Sequence, residues 1–119
     1  PSRYELLEMY STIGNGGPDG NIGGFESNYY LSSSESSANG AYIINLGGGG
    51  TASDGKANGR RARFIRSASI FPTDNQVGEA YEGGLIFYKD EASGECYIAS
   101  LEDVEDEYVW GCQEQMDNL

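Results

Sequence analysis

The distribution of glycine is the strongest constraint on what this chain can fold into. The 119-residue sequence contains 18 glycines, and 13 of them lie between Gly14 and Gly59. Glycine tolerates backbone conformations that other residues avoid, and it weakens helices and strands when it lies inside them. We therefore expect long irregular loops in this region, with only short regular elements between them.

The segments between these loops carry helix or strand patterns. Ser2 and Glu5 form a capping box and Gly14 is a natural stop, so residues 3–12 are predicted to form an amphipathic helix. Gly47–Gly59 is predicted to be a glycine-rich excursion, and Gly47–Gly50 within it a flexible display loop. The predicted strands cover residues 29–31, 41–46, 62–67, 84–88, 96–101 and 108–110, and the pair 84–88 and 96–101 is expected to form a hairpin. This order of one helix and several strands indicates an α+β domain.

Charge is divided unevenly along the chain. Residues 1–71 contain six basic and six acidic side chains, whereas residues 72–119 contain one basic and thirteen acidic ones, which accounts for the whole net charge of −12. Nucleic-acid binding needs clustered Lys and Arg against the phosphates, so this composition argues against nucleic acid as a partner. A neutral half and an acidic half can attract each other, within a molecule or between neighbours.

The sequence offers few means of membrane insertion or metal binding. No run is apolar and long enough to span a bilayer, and with no signal peptide present we expect that a secretion signal was removed or left out. The two cysteines, Cys96 and Cys112, permit at most one intrachain disulfide. Because the chain has no histidine and its cysteine spacing fits no zinc motif, we expect no metal and no cofactor.

Four blocks of the first half are similar to a known group of domains. Their order and spacing match the second half of bacterial C-type-lectin-like domains. That group includes Fibrobacter-type paralogous surface domains, the C-terminal domain of the Legionella collagen-like adhesin and the variable proteins of diversity-generating retroelements. Family members carry an LPS-x-x-EL helix, then YWSSSE, NAWYVNF and R-x-V-R blocks. The corresponding blocks here are Pro1–Leu6, Tyr30–Asn39, Ala41–Asn45 and Arg63–Arg66, with Leu31 in place of the family's Trp.

The second half resembles the beginning of the same domain. Val77–Phe87 is similar to the family's opening strand, VGD-x-Y-x-GG-I-V-F, and Val109–Cys112 to its W-G-C block. The resemblance implies a C-type-lectin-like fold in rotated order, with residues 1–71 as its second half and residues 72–119 as its first half. The two segments form one domain or parts of two. Circular permutation, a fragment of tandem domains and completion by a neighbouring chain are all compatible with this order.

The resemblance implies a non-catalytic recognition or adhesion module, extracellular, on a bacterial surface or a phage particle. Its partner would be a protein or a glycan on a cell surface. Tyr and Asn side chains suit such contacts, because they bind adaptably at low entropic cost. Lys56, Arg60 and Arg61 lie in the region that retroelement relatives vary to bind ligands. The ligand is expected to contact the segment 39–61, through Asn39, Tyr42, Asn45, Thr51, Ser53, Asp54, Lys56, Asn58, Arg60 and Arg61.

The alternative function is a structural subunit that forms homo-oligomers or tandem arrays, above all a head-to-tail surface fibre. In this hypothesis a basic strip formed by Lys56 and the arginines between 60 and 66 faces the acidic run of a neighbour. For Arg63 and Arg66, bracing of nearby backbone or carboxylates is the favoured interpretation. The candidates for self-association are Arg63, Arg66, Glu102, Asp103, Glu105, Asp106 and Glu107.

Several further patterns have a plain interpretation. An enzyme of the formylglycine-generating type shares the implied fold, but its reactive cysteine pair has no counterpart at Cys96 and Cys112, so we expect no catalysis. In the family, the usual disulfide partner of Cys112 falls in the missing segment, and Cys96 is the candidate substitute, with free or intermolecular thiols as the alternative. Residues 102–107 are interpreted as a solvated acidic loop. Asp19 and Asn21 are interpreted as part of a turn, because calcium needs more carboxylates than this segment has.

Overall fold

The chain begins with the predicted helix. In the computed structural model, which describes residues 1–69, 76–104 and 108–109, helix α1 covers Arg3–Thr12. The capping box is present, because the Ser2 hydroxyl accepts a hydrogen bond from the Glu5 backbone N–H and the Glu5 carboxylate accepts one from the Ser2 N–H. These two bonds satisfy donors that a helix start otherwise leaves exposed, so the helix begins at the expected residue.

Nine strands follow along the described chain. They are β1 Tyr29–Glu35, β2 Gly40–Asn45, β3 Thr51–Gly55, β4 Gly59–Arg60, β5 Ile65–Ser69, β6 Ala80–Tyr81, β7 Gly84–Asp90, β8 Glu95–Ser100 and β9 Tyr108–Val109. The strands form three antiparallel sheets with the orders β1–β2–β3, β4–β9 and β5–β8–β7–β6. A parallel bridge joins Tyr30 of β1 to Arg61, the residue that follows β4. The chain at β4 therefore lies along the β1 edge of the first sheet.

The prediction of an irregular glycine-rich excursion over Gly47–Gly59 is wrong for its central part. Strand β3 pairs with β2 along its whole length, from Ile44 opposite Thr51 to Gly40 opposite Gly55. The turn between them depends on Gly49, whose φ of +81° suits glycine and strains other residues. The small polar residues of Thr51–Gly55 do not by themselves indicate a strand. The segment forms strand β3 because the neighbouring strand β2 supplies its hydrogen-bond partners.

The other strands lie close to their predicted positions. The predicted hairpin is present: β7 extends two residues further than expected, and β8 begins and ends one residue earlier than expected. The strand predicted over residues 62–67 begins later, at Ile65, and continues to Ser69. Strand β9 coincides with the predicted start at Tyr108, and Trp110 lies outside the described residues.

One hydrophobic core draws on both segments of the chain. Helix α1 packs between the first and third sheets, and the buried residues at this contact are Leu6, Met9, Ile13, Phe25, Tyr30, Ile44, Leu46, Phe87 and Ala99. The chain is thus a small compact β-rich domain with mostly antiparallel sheets and one short helix, and the predicted mixed class of helix and strand is confirmed.

Candidate functional site

The first sheet divides the predicted ligand-binding residues between its two faces. Tyr30 and Ile44 point into the core beside α1. Because side chains alternate along a strand, Tyr42 and its cross-strand neighbour Ser53 share that inner face, whereas Asn45 and Asp54 occupy the opposite, outer face. The predicted residues therefore do not form one continuous surface on a single side of the sheet.

On the outer face, the structure brings Asp54, Asn58 and Arg60 together. The Asp54 carboxylate accepts hydrogen bonds from the Asn58 amide at 2.8 Å and from Arg60 Nε at 2.6 Å. These two donors, the amide first, hold the pKa of Asp54 below its ordinary value because they favour the charged carboxylate. The Arg60 guanidinium also lies 5.9 Å from the centre of the Tyr29 ring.

Tyr29 belongs to this surface, although it was not among the predicted ligand-binding residues. It lies directly opposite Asn45 in the register of β1 and β2, and both side chains are partly exposed. The signal that identifies it is the alternation of the Tyr29-Tyr30 pair, since Tyr30 is in the core and its neighbour must face outward. We call the group Tyr29, Asn45, Asp54, Asn58 and Arg60 the outer-face cluster.

The segment after β3 is tied down at both ends. The Lys56 ammonium lies 3.0 Å from the Glu35 carboxylate and donates to the Ala38 carbonyl, and the Lys56 backbone N–H donates to the Asn39 carbonyl at 2.9 Å. Arg60 is held at the other end by Asp54. These contacts fix the segment after β3 to the rest of the domain.

The inner face carries a separate group of polar residues. The Arg3 guanidinium lies between two aromatic rings, 4.1 Å from the centre of Tyr42 and 4.7 Å from that of Tyr4. The Ser53 hydroxyl is 2.5 Å from that of Ser36. Thr51, at the start of β3, is exposed. This group lies on the α1 side of the sheet, opposite to the outer-face cluster.

Arg63 occupies a buried position inside the domain. Its side chain is 1% exposed, and its Nη2 lies 2.8 Å from the Asp103 carboxylate, which is 13% exposed. The guanidinium also donates to the carbonyls of Gly23, Gly24 and Ser100. Arg63 therefore braces backbone and a carboxylate, and its charge is not displayed to a neighbouring molecule.

Asp103 is likewise part of the interior, which corrects its interpretation as a solvated loop residue. Its second oxygen accepts a hydrogen bond of 2.6 Å from the Tyr30 hydroxyl and lies 3.7 Å from Arg61 Nη1. A partly buried carboxylate needs such partners to offset the loss of water. The sequence did not indicate this role, because Asp103 lies in a run of acidic residues and its partners Tyr30 and Arg63 are distant in the sequence.

The predicted basic strip is not a free cationic surface. Each of its five members lies within ion-pair distance of a carboxylate of the same chain: Lys56 with Glu35, Arg60 with Asp54, Arg61 and Arg63 with Asp103, and Arg66 with Glu82. Among the other self-association candidates, Glu102 is exposed, and Glu105, Asp106 and Glu107 lie outside the described residues.

The cysteines and possible metal ligands are placed as follows. Cys96 is buried in β8 beside Ile86 and Ile98, whereas Cys112 lies outside the described residues, so the disulfide remains a prediction.

The Asn21 side chain bonds to the Phe25 backbone N–H and carbonyl, as a turn residue does. In the part of the chain that the structure describes, no three His, Cys, Asp or Glu side chains are grouped to hold a metal ion.

Within residues 1–69, 76–104 and 108–109, no helix has the length and apolar character needed to cross a membrane. No protein-family model, curated protein or solved structure matches this chain. The likeness to C-type-lectin-like domains therefore depends on the sequence blocks described above.

Proposed function

We propose that the chain is a non-catalytic extracellular recognition module on a C-type-lectin-like frame. In this proposal it binds a protein or a glycan on a cell surface through the outer-face cluster. The observation that carries the proposal is the position of Arg60, which is held against Asp54 and over the ring of Tyr29 on the sheet face turned away from the core.

The geometry of the cluster suits binding because its polar groups are ordered before a ligand arrives. Asp54 fixes both Asn58 and Arg60, and Lys56 anchors the same segment to Glu35. A ligand then orders few side chains, which lowers the entropic cost of association. The Tyr29 ring supplies an apolar surface with a polar tip, a combination that favours interfaces.

The alternative of a charge-driven fibre has less support from the same contacts. Its basic partner was the strip that includes Arg60, Arg61 and Arg63, and these side chains lie against Asp54 or Asp103 of their own chain. Attraction to the acidic run of a neighbour would have to compete with these internal pairs. A recognition function does not require these internal ion pairs to break, because the ligand would contact the side chains in their paired positions.

The test is binding of the whole chain to an array of mammalian and bacterial glycans, and to intact cells before and after protease treatment. The test variant is Tyr29→Ala combined with Arg60→Gln, and the matched control is Arg66→Gln, which removes an exposed ion pair on the third sheet. We expect the wild type and the control to bind, and the double variant to bind at least about tenfold more weakly, a loss of about 1.4 kcal/mol.

The two arms identify the class of partner. Retention on the array, with cell binding that survives protease, indicates a glycan, and cell binding that protease abolishes indicates a protein. An absence of binding in both arms, or equal loss in the double variant and the Arg66→Gln control, would contradict the proposal.

A further inference from the structure

A groove between α1 and the third sheet has aromatic walls. Its volume is about 330 Å³, and its aromatic lining consists of Tyr4, Phe87, Tyr88 and Tyr97. Tyr88 and Tyr97 stack with their ring centres 5.5 Å apart. Tyr4 is 66% exposed and Tyr88 is 40% exposed, so these rings are open to solvent although each is large and amphipathic. The groove lies on a different face from the outer-face cluster.

The rest of the lining is acidic. Glu5, Glu8 and Asp90 contribute carboxylates, and two of these are fixed by backbone donors, Glu5 by the Ser2 N–H and Asp90 by the Ala92 N–H. Among the residues that the structure describes, none that lines the groove is basic. The groove thus combines electron-rich ring faces with several negative charges, and both features favour a positively charged occupant.

The chain itself shows that one of these rings accepts a cation. The Arg3 guanidinium lies 4.7 Å from the centre of the Tyr4 ring and donates a hydrogen bond of 2.6 Å to the Tyr4 hydroxyl. A cation within about 6 Å of a ring centre is attracted by the ring quadrupole. The same attraction is available to a ligand at the aromatic walls, where the carboxylates add to it.

We propose that this groove binds a small organic ammonium cation with apolar substituents. The apolar substituents match the ring faces, the positive charge matches the carboxylates, and the volume lies at the lower end of the range for small-molecule sites. A hydrated metal ion would gain little from the rings, and an anion would be repelled by Glu5, Glu8 and Asp90. The proposal is independent of the recognition function proposed above, because it uses other residues.

The test compares choline with its uncharged isostere 3,3-dimethylbutan-1-ol, in which a carbon replaces the nitrogen. Each compound is titrated into the whole chain while the ring proton signals of Tyr88 and Tyr97 are followed by NMR. We expect saturable shifts with choline and at least about tenfold weaker binding of the isostere, because only choline carries the charge. Equal binding of the two compounds, or no saturable shift with choline, overturns the proposal.

Two variants connect the binding to this groove. Tyr88→Leu removes a partly exposed ring and should weaken choline binding about threefold to thirtyfold, the range expected for one cation–π contact. Glu8→Gln removes one negative charge from the groove and should also weaken choline binding. The matched controls are Phe64→Leu and Glu91→Gln, which remove an exposed ring and a charge outside the groove and should leave the choline affinity unchanged. Equal losses in the variants and the controls would place the site elsewhere and overturn the proposal.

Discussion

Arg63 and Asp103 form a buried ion pair between residues 40 positions apart in the sequence. Arg63 lies in the first described segment, residues 1–69, and Asp103 lies in the second, residues 76–104. The Tyr30 hydroxyl bonds to the same carboxylate from the first sheet. The pair therefore joins the two segments by a polar contact, in addition to the hydrophobic core that they share.

Replacement of Arg63 by Met should destabilise the domain strongly. The change removes the main partner of Asp103 and leaves a largely buried carboxylate with only the Tyr30 hydroxyl and the more distant Arg61, which costs about 3 kcal/mol or more. The control Arg66→Met removes a surface ion pair and should change stability by less than about 1 kcal/mol. Urea unfolding followed by circular dichroism measures both free energies. A loss below about 1 kcal/mol for Arg63→Met would show that the buried pair does not hold the segments together.

Tyr30 should make stability depend on alkaline pH. Burial, and then the hydrogen bond to Asp103, raises the pKa of Tyr30 from its ordinary value of 10.0 to about 12. Because the folded state favours the neutral phenol, the contribution is fully present below pH 10 and is lost as the pH rises towards 12. In Tyr30→Phe there is no such group to titrate, so the difference in unfolding free energy between wild type and variant should shrink over this range. Parallel curves from pH 9 to 12 would contradict the assignment.

The turn before β3 should respond differently to the same substitution at adjacent glycines. Gly49 has a φ of +81°, and an added Cβ would lie 2.7 Å from the Tyr10 ring, whereas a Cβ on Gly48 meets nothing within 4 Å. We expect Gly49→Ala to cost about 1–2 kcal/mol and Gly48→Ala to change stability by less than about 0.5 kcal/mol. Thermal unfolding of the two variants provides the comparison, and equal stabilities would argue that the turn differs from the one described.

Local patterns predicted the local elements of this fold. The capping box of Ser2 and Glu5 identified helix α1, and the strand patterns of residues 84–88 and 96–101 identified the hairpin of β7 and β8. In each case the residues that decide the structure are near one another in the sequence. The prediction failed at β3, where the partners that make Thr51–Gly55 a strand belong to β2 and the composition of the segment indicates a loop.

The candidate site was less predictable, because its contacts are distant along the chain. Nothing near Asp103 in the sequence distinguishes it from its acidic neighbours, and only the folded chain places Arg63 and Tyr30 against it. The aromatic groove has the same origin, since it brings Tyr4 of α1 beside Tyr88 and Tyr97 of the hairpin. The burial of these side chains and their charge pairs depend on contacts between residues that are distant in the sequence. Composition and periodicity do not predict such contacts.

The claim that residues 1–69 and 76–104 act as one folding unit is tested most directly by native-state hydrogen exchange in the variant Phe87→Ala. Phe87 lies in the second segment and packs in the shared core, and its truncation should cost about 3–5 kcal/mol. If the segments form one unit, the opening free energies of the Tyr30 and Ile44 amides should fall as much as those of Ile98 and Ala99. A fall confined to Ile98 and Ala99, with the amides of the first sheet unchanged, would contradict it.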